Sequence, residues 1–310
     1  MSPLVRLIRN YPISSFAVLA CAFGWMVYGL AAVGIGSNPE NMPLGPCMAA
    51  FVVTACQGRE AFFEWGRRLR NWRAAPWLYA VAIITPIAVH VSIVAINLLF
   101  GAPMPTSDQL SEWPQIPITF LVMLVMVGLG EEAGWTAFAA PILLRRHGLW
   151  GAWVILGALR IFWHLPLLIS GDMPWMVWLV GNGAFQLVVL QLMRRSNGAW
   201  SLAAVWHATL NAFGGAFFFS MVDGADKERL GTLLALSYAV LALISLIPAV
   251  GGRRGTSELD PPLAFPHDAA DESGVRREGR LGDPGLPTVE AAGREARVRV
   301  HDGGRTRESR

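Results

Sequence analysis

The sequence predicts an all-α fold: a polytopic transmembrane helix bundle of about eight spans with both termini in the cytoplasm. Three observations support this prediction. The 310 residues are 54% hydrophobic with a mean hydropathy of +0.43, which is too apolar for an ordinary soluble domain. Charged residues are sparse up to residue 250 and frequent after it. Arginine clusters recur in every second connection between the apolar stretches.

Apolar stretches near the length of about 20 residues that crosses a bilayer core divide residues 1–250 into spans. The predicted spans are 12–35, 43–57, 77–100, 117–143, 149–170, 175–193, 199–221 and 230–250. The first follows Arg6 and Arg9 and exceeds the apolar core of a signal peptide, which has about 7–15 residues. We therefore interpret it as an uncleaved span.

The connections between the spans predict the orientation. Arginines precede span one and follow spans two, four, six and eight, whereas the alternate connections are mainly acidic. Under the positive-inside rule this pattern places both termini in the cytoplasm. The connection at 60–73 mixes aromatic residues with arginines, and it is predicted to form an amphipathic helix along the cytoplasmic interface with lipid.

Residues 251–310 contain 11 arginines and 11 acidic residues without apolar periodicity. We predict a disordered cytoplasmic tail there, following a transmembrane helical domain at 1–250. The balanced charge gives no reason to expect nucleic acid as a partner. Cys21, Cys47 and Cys56 form no CxxC pair, so we interpret them as small apolar residues of the membrane domain.

Ionisable residues at membrane depth cost about 2.5–3.5 kcal/mol each on insertion scales, so each needs a reason. Span four contains Glu131 and Glu132, and two neighbouring carboxylates in a low dielectric need a proton or a cationic partner. The next spans add two pairs with i,i+4 spacing, which puts both side chains of a pair on one helix face. These pairs are Arg160 with His164 and His207 with Asn211.

Interhelical hydrogen bonding is the alternative explanation for a polar residue in the membrane. We prefer it for the isolated His90 and for Asn182 and Gln186 of span six. It is weaker for adjacent glutamates near histidines, because a carboxylate beside imidazoles can activate water.

The local sequences of these residues resemble a known family. The stretches GEEAGWTAFAAPILLRRHG, LRIFWHLPLLISG and AVWHATLNAF are similar, in this order, to the three signatures of the CPBP family. That family includes the type II CAAX prenyl endopeptidases and the bacterial Abi proteins. The resemblance covers about residues 117–221, the CPBP-like core of the membrane domain.

The resemblance implies an intramembrane endopeptidase that hydrolyses a peptide bond with a glutamate-activated water and without a cofactor. Glu131 would be the general base, and His164 would hold the attacking water. His207 and Asn211 would donate to the developing oxyanion, and Glu132 would support the site. The implied partners are membrane lipid and a peptide or protein substrate near the membrane.

Two positions depart from the family pattern. Thr136 stands where the first signature has an arginine, and Arg160 stands where the second has a phenylalanine. We hypothesise that Arg160 is a supporting residue that replaces the missing guanidinium as the partner of Glu132 or Glu131. The alternative is that Arg160 snorkels or caps another helix.

Three alternatives remain open: a zinc-dependent mechanism, a non-catalytic role and a transporter. Glu131, His164 and His207 are alternative zinc ligands by residue type, although the sequence contains no HExxH. The departures would fit a non-catalytic membrane scaffold or a bacteriocin-immunity protein that keeps the fold. A proton relay in a transporter is disfavoured, because the sequence shows no inverted repeat.

Localisation is predicted as a multi-pass cell-membrane protein, in a bacterial plasma membrane. The 24 arginines against one lysine fit the coding bias of a GC-rich bacterium. Bacteria generally lack prenylated CAAX proteins, so we expect another membrane-proximal peptide as the substrate.

Overall fold

The computed structural model describes residues 2–35 and 43–247, and the regular elements within these ranges are all helical. The tail predicted at 251–310 lies outside the described residues. The α-helices are α1 (Pro3–Asn10), α2 (Pro12–Ala32), α3 (Gly45–Gln57), α4 (Arg59–Leu69), α5 (Pro76–Leu99), α6 (Ser107–Ser111), α7 (Ile116–Met123), α8 (Ala140–Trp163), α9 (Leu165–Ser170), α10 (Asn182–Arg195), α11 (Ser201–Leu210) and α12 (Gly224–Ser245). The π-helical segments are π1 (Leu124–Glu132), π2 (Trp135–Ala139), π3 (Val177–Gly181) and π4 (Asn211–Phe218). Short 3₁₀ turns are Trp113–Gln115 and Phe219–Met221.

Six helical stretches within the described residues are long and apolar enough to cross a membrane. They are Pro12–Ala32, Pro76–Leu99, Ser107–Trp163, Val177–Arg195, Ser201–Met221 and Gly224–Ser245. Gly45–Gln57 is apolar but shorter. The predicted all-α, multi-pass membrane fold is therefore confirmed. The count of eight spans and the side of each terminus stay predictions.

The stretch Ser107–Trp163 contains the predicted spans four and five. Its 57 residues are far more than the roughly 20 that a bilayer needs. The backbone departs from helical geometry inside α8 at Gly148, where φ is 64° and ψ is −171°. A residue with a Cβ is strained at this φ, so the glycine allows the chain to turn between the two predicted spans.

The start of the last helix differs from the sequence prediction. The predicted span 230–250 leaves Asp223 to Arg229 in the connection before it, but α12 already begins at Gly224. Gly224 to Arg229 form its first turns, where Asp226 pairs with Arg229. A helix can project beyond the apolar layer, and charged side chains are then compatible with its first turns.

The outer surface of the bundle is apolar, as contact with lipid requires. On α5 the exposed side chains include Ile84 and Leu99, which are 63% and 86% exposed. On α12, Leu243 is 66% exposed. Large contiguous apolar surface is rare on soluble monomers, so these exposed faces agree with a multi-pass membrane protein.

Two apolar clusters fill the interior. The first joins α2, α3 and α4 to π2 and α8, and Phe16, Trp135 and Phe138 are fully buried in it. The second joins α5, α10, α11 and α12 around Trp206 and Tyr238. The Trp206 indole donates to the Tyr238 hydroxyl at 3.0 Å, so the polar ends of these two rings satisfy one another. The site described below lies where the clusters meet.

The π-helical segments occur next to the ionisable residues. π1 ends at Glu132, and π4 begins at Asn211. A π-turn inserts an extra residue into the helix and changes the face to which the following side chains point, which is why such turns are frequent at functional sites. The backbone therefore departs from regular α-helical geometry at Glu132 and at Asn211, two residues that the sequence analysis singled out.

Candidate active site

The structure brings the sequence-predicted site residues to one region of the bundle. The two glutamates come from the end of π1, Arg160 and His164 from the last turn of α8 and the residue after it, and His207 and Asn211 from α11 and the start of π4. All of them except the half-buried Asn211 are buried in the bundle. The predicted spans 149–170 and 199–221 put His164 and His207 towards opposite faces of the membrane. In the structure both nevertheless line the same cavity.

Glu132 is the most enclosed member of the site. Its side chain is 0% exposed, and its carboxylate contacts groups from three different segments. Arg160 Nη2 donates to Oε1 at 2.8 Å, His207 Nδ1 lies 2.9 Å from the same oxygen, and the Thr136 hydroxyl donates to Oε2. A buried carboxylate with this many partners is fixed in place, so Glu132 holds the other side chains in position.

Arg160 is the cation of the site. Its side chain is 1% exposed, and its Nη1 donates to Glu131 Oε2 at 3.3 Å in addition to the bond to Glu132. Arg160 therefore contacts both Glu131 and Glu132, whereas the hypothesis requires only one of them, and its buried side chain does not snorkel. The planar guanidinium has enough N–H donors to hydrogen-bond both carboxylates. A lysine ammonium has no such planar set of donors and would not fix the orientation of the two carboxylates.

The remaining faces of the guanidinium are also occupied. Arg160 Nε donates to Gln186 Oε1 at 3.0 Å. The guanidinium carbon lies 5.6 Å from the ring centroid of Trp135 and 4.9 Å from that of Phe185. Both distances fall in the range of cation–π contacts. Because one ring belongs to the first apolar cluster and the other to the second, Arg160 joins the two clusters.

Sequence reasoning missed Gln186, Phe185 and Trp135 as members of the site. Gln186 had been assigned to helix–helix hydrogen bonding alone, and it is 0% exposed. Gln186 could have been identified because its span follows the span of Arg160 in the sequence. A guanidinium buried at membrane depth needs several hydrogen-bond acceptors, and a glutamine on the neighbouring span can supply one. The two rings carry no comparable signal, because aromatic residues occur throughout the chain.

The orientation of His164 is set by its own helix. Its Nδ1 lies 2.8 Å from the Arg160 carbonyl oxygen, four residues earlier. A carbonyl oxygen only accepts, so Nδ1 carries the proton and Nε2 of the neutral ring is left as an acceptor. The Trp163 ring lies edge-on to the imidazole at 4.7 Å between centroids and restricts its movement. This imidazole is therefore prepared to accept a hydrogen bond from water.

One cavity connects these groups. It has a volume of about 580 Å³, and its walls include Glu131, Arg160, His164, His207 and Asn211. This volume is within the range of about 300–1,000 Å³ of ligand pockets. Glu132 does not line the cavity. Of the two glutamates, Glu131 thus faces the space that a substrate can occupy, and Glu132 lies behind it.

Asn211 and His90 are two of the polar side chains that line the cavity. The side-chain amide of Asn211 makes no hydrogen bond to any other residue that the structure describes, so it is free to donate to a ligand. His90 of α5 is 0% exposed, and its Nδ1 lies 2.7 Å from the Pro86 carbonyl oxygen. Its Nε2 has no partner within the described ranges. The ring of His90 stacks on Phe218 of π4, with 6.4 Å between centroids.

The zinc ligands suggested by residue type differ from the cluster of possible metal ligands in the structure. Among described residues, ligand atoms within 4.8 Å of one another belong to Glu131, Glu132 and His207. His164 is not a member of this group. The guanidinium of Arg160 bonds both carboxylates, so a metal cation would have to compete with it for them. The residues as arranged therefore do not fit an open zinc site.

The comparisons with known proteins agree with these observations. Residues 113–213 match the model of a protein family described as type II CAAX prenyl endopeptidase Rce1-like. This segment is similar to that family. The match covers about one third of the chain and supports the CPBP resemblance at 117–221. A comparison with curated proteins found no match.

The matched segment contains all the site residues predicted from the sequence, from Glu131 to Asn211. The cavity extends beyond it, since Gly24 of α2, His90 of α5 and Tyr238 of α12 also form its walls. The helices outside the matched residues therefore contribute to the space around the site.

Proposed function

We propose that the chain is an intramembrane endopeptidase that hydrolyses a peptide bond with a water activated by Glu131. The observation that carries the proposal is the unequal placement of the two glutamates. Glu131 faces the cavity next to His164, His207 and Asn211, whereas Glu132 is enclosed by Thr136, Arg160 and His207. Glu131 is thus available to activate water, and Glu132 is available to orient the neighbouring side chains.

The reaction begins with a water held between Glu131 and the Nε2 of His164. Glu131 accepts a proton from this water while the water oxygen attacks the peptide carbonyl carbon. The carbonyl oxygen becomes an oxyanion, which accepts hydrogen bonds from the amide of Asn211 and from the Nε2–H of a His207 ring that is protonated on both nitrogens. When the C–N bond breaks, Glu131 gives its proton to the leaving nitrogen. The products are a carboxylic acid and an amine.

Glu132 and Arg160 act through the other side chains. The Nδ1 of His207 is occupied by Glu132, so Nε2 is the nitrogen left to act on the substrate. Arg160 balances the charge of the two carboxylates and fixes their orientation. Both are positioning residues in this mechanism.

The test is a comparison of protein termini in membranes that contain equal amounts of the wild-type chain or of Glu131→Gln. The amide has nearly the same shape and cannot take up the proton, so Glu131-dependent cleavage should fall by about 10²–10⁴-fold. Glu60→Gln is the matched control, because Glu60 lies exposed in the first turn of α4, and it should retain the wild-type set of termini. Identical termini in wild type and Glu131→Gln, with both proteins folded, would contradict the proposal.

A non-catalytic membrane scaffold, such as a bacteriocin-immunity protein, is the second candidate. The ion pair between Arg160 and Glu131 favours it, because the proposed base is then already bound to a cation. The comparison of termini separates the two functions. A scaffold would keep its biological effect in Glu131→Gln as long as the protein folds.

A further inference from the structure

The bundle has two ends of different charge. The first, named here the arginine end, contains α1, the C-terminal end of α3, α4, the start of α5, the turn at Gly148 and the C-terminal ends of α10 and α12. Contacts define it: Gln57 Nε2 donates to the Ile8 carbonyl at 3.2 Å, Trp200 Nε1 donates to the Leu69 carbonyl at 3.2 Å, and Arg195 donates to the Ser245 carbonyl at 2.8 Å.

The opposite end, named here the acidic end, contains the C-terminal end of α5, α6, the connection at 171–174 and the start of α12. Arg229 Nε donates to Asn97 Oδ1 at 2.6 Å, and Asn97 in turn donates to the Asp226 carbonyl at 3.1 Å. Gln109 donates to the Met221 carbonyl at 3.4 Å.

The charges divide unequally between these ends. Apart from the buried Arg160, the described residues contain 13 basic side chains, and 11 of them lie at the arginine end. Those 11 are Arg6, Arg9, Arg59, Arg67, Arg68, Arg70, Arg73, Arg145, Arg146, Arg194 and Arg195. The acidic end has Lys227 and Arg229, together with Asp108, Glu112, Asp172, Asp223, Asp226 and Glu228.

The cavity extends from the site towards the acidic end. Its walls reach Asp172, Ser220 and Lys227 at that end, and they include no described residue of the arginine end. Towards the arginine end the site is closed by packed structure. The Trp65 indole of α4 donates to the Ala133 carbonyl at 3.0 Å, and residues 133–140, directly after the two glutamates, are all buried.

From this arrangement we propose that the cavity opens on the non-cytoplasmic face of the membrane. Short segments rich in arginine are retained in the cytoplasm, so the arginine end faces inward and the acidic end faces outward. The substrate is then a membrane-anchored polypeptide whose scissile bond lies outside the cytoplasm, next to the bilayer. The identity of the substrate rests on the proposed function, whereas the direction of the opening does not.

The experiment measures which side of the membrane reaches the cavity. Cys21, Cys47 and Cys56 are replaced by alanine, and single cysteines are introduced into the full chain in intact cells. Ala216→Cys reports on the cavity wall, where this residue is exposed, and Asp108→Cys on the acidic end outside the cavity. His147→Cys is the control at the arginine end. The probe is a maleimide that does not cross membranes, applied before or after permeabilisation.

We expect the cysteines at positions 216 and 108 to be labelled in intact cells, and the cysteine at 147 only after permeabilisation. Labelling at 216 that needs permeabilisation, or that fails while 108 is labelled, would overturn the proposal. Termini that depend on Glu131 provide the second readout: they should map to extracytoplasmic segments of other membrane proteins, and cytoplasmic positions would refute the substrate class. If no termini depend on Glu131 while 216 is labelled from outside, the proposed protease function fails and the outward opening stands.

Discussion

At the scale of single residues, the arginine at position 160 explains how the site keeps two adjacent carboxylates inside the membrane. Two buried negative charges without a cation would be strongly unfavourable. Arg160 donates to both of them, and Thr136 occupies the position of the family's arginine with a small hydroxyl that donates to Glu132. The cation has therefore been supplied from α8 to the carboxylates of π1.

Replacing Arg160 tests whether its guanidinium substitutes for an arginine at the position of Thr136. Arg160→Phe restores the family residue at that position but leaves the two carboxylates without a cation, which should cost about 3–5 kcal/mol of folding stability. Adding Thr136→Arg should recover most of the loss, because a guanidinium returns to the same carboxylate. The measurement is the midpoint of thermal unfolding in detergent, together with the Glu131-dependent cleavage.

The control for this pair is Arg70→Phe, which changes an exposed arginine and should alter stability by no more than about 0.5 kcal/mol. If Arg160→Phe alone unfolds and cleaves as the wild type does, Arg160 is not the partner that the carboxylates require.

A second experiment at this scale concerns metal. Because the Arg160 guanidinium lies against both carboxylates, we expect chelators to leave the Glu131-dependent termini unchanged. The same membranes and the same readout as in the Glu131→Gln comparison apply. Loss of these termini with chelator and their return with added zinc would show that Glu131, Glu132 and His207 bind a metal after all.

At the scale of elements, the contact between α5 and π4 determines one wall of the cavity. Gly214 of π4 packs directly on the His90 ring, so a Cβ at this position would overlap the imidazole. The next glycine, Gly215, has no neighbouring atom within 4 Å of a Cβ. These two adjacent glycines therefore differ in their packing.

We predict that Gly214→Ala destabilises the protein by about 1–3 kcal/mol, the usual cost of overpacking. Gly215→Ala is the matched control, and it should unfold at nearly the wild-type midpoint. The double variant with His90→Ala should be less destabilised than the sum of the two single changes, since removal of the ring makes room for the methyl group. An equal loss in Gly214→Ala and Gly215→Ala would mean that helix propensity rather than the His90 contact is responsible.

At the scale of the whole molecule, most of the fold could be predicted because membrane spans depend on apolar length. The predicted start of the first span at residue 12 coincides with that of α2, and the predicted 77–100 differs from α5 by one residue at each end. The start of α12 was placed too late, because charges end a span without ending a helix. The π-turns had no signal, since an i→i+5 hydrogen bond leaves no recognisable period in so short a segment.

For the candidate site, the residues could be predicted from the sequence but their contacts could not. Charge at membrane depth is costly enough to single out Glu131, Glu132 and Arg160 from the sequence alone. Which groups they contact depends on how helices far apart in sequence meet, and that information is not local. For this reason the contact of Arg160 with a glutamate was a hypothesis, Gln186 was missed, and the role of His164 as an alternative metal ligand stays a prediction.

The position of the guanidinium also affects how such chains can be found. A search pattern that demands an arginine four residues after the second glutamate rejects this sequence, although a guanidinium lies against that glutamate in space. Either α8, which contains Arg160, or π2, which contains Thr136, can supply the guanidinium. A pattern that accepts an arginine either at the position of Thr136 or at that of Arg160 would describe the charge requirement itself, and it would recover chains in which the cation has moved from one helix to its neighbour.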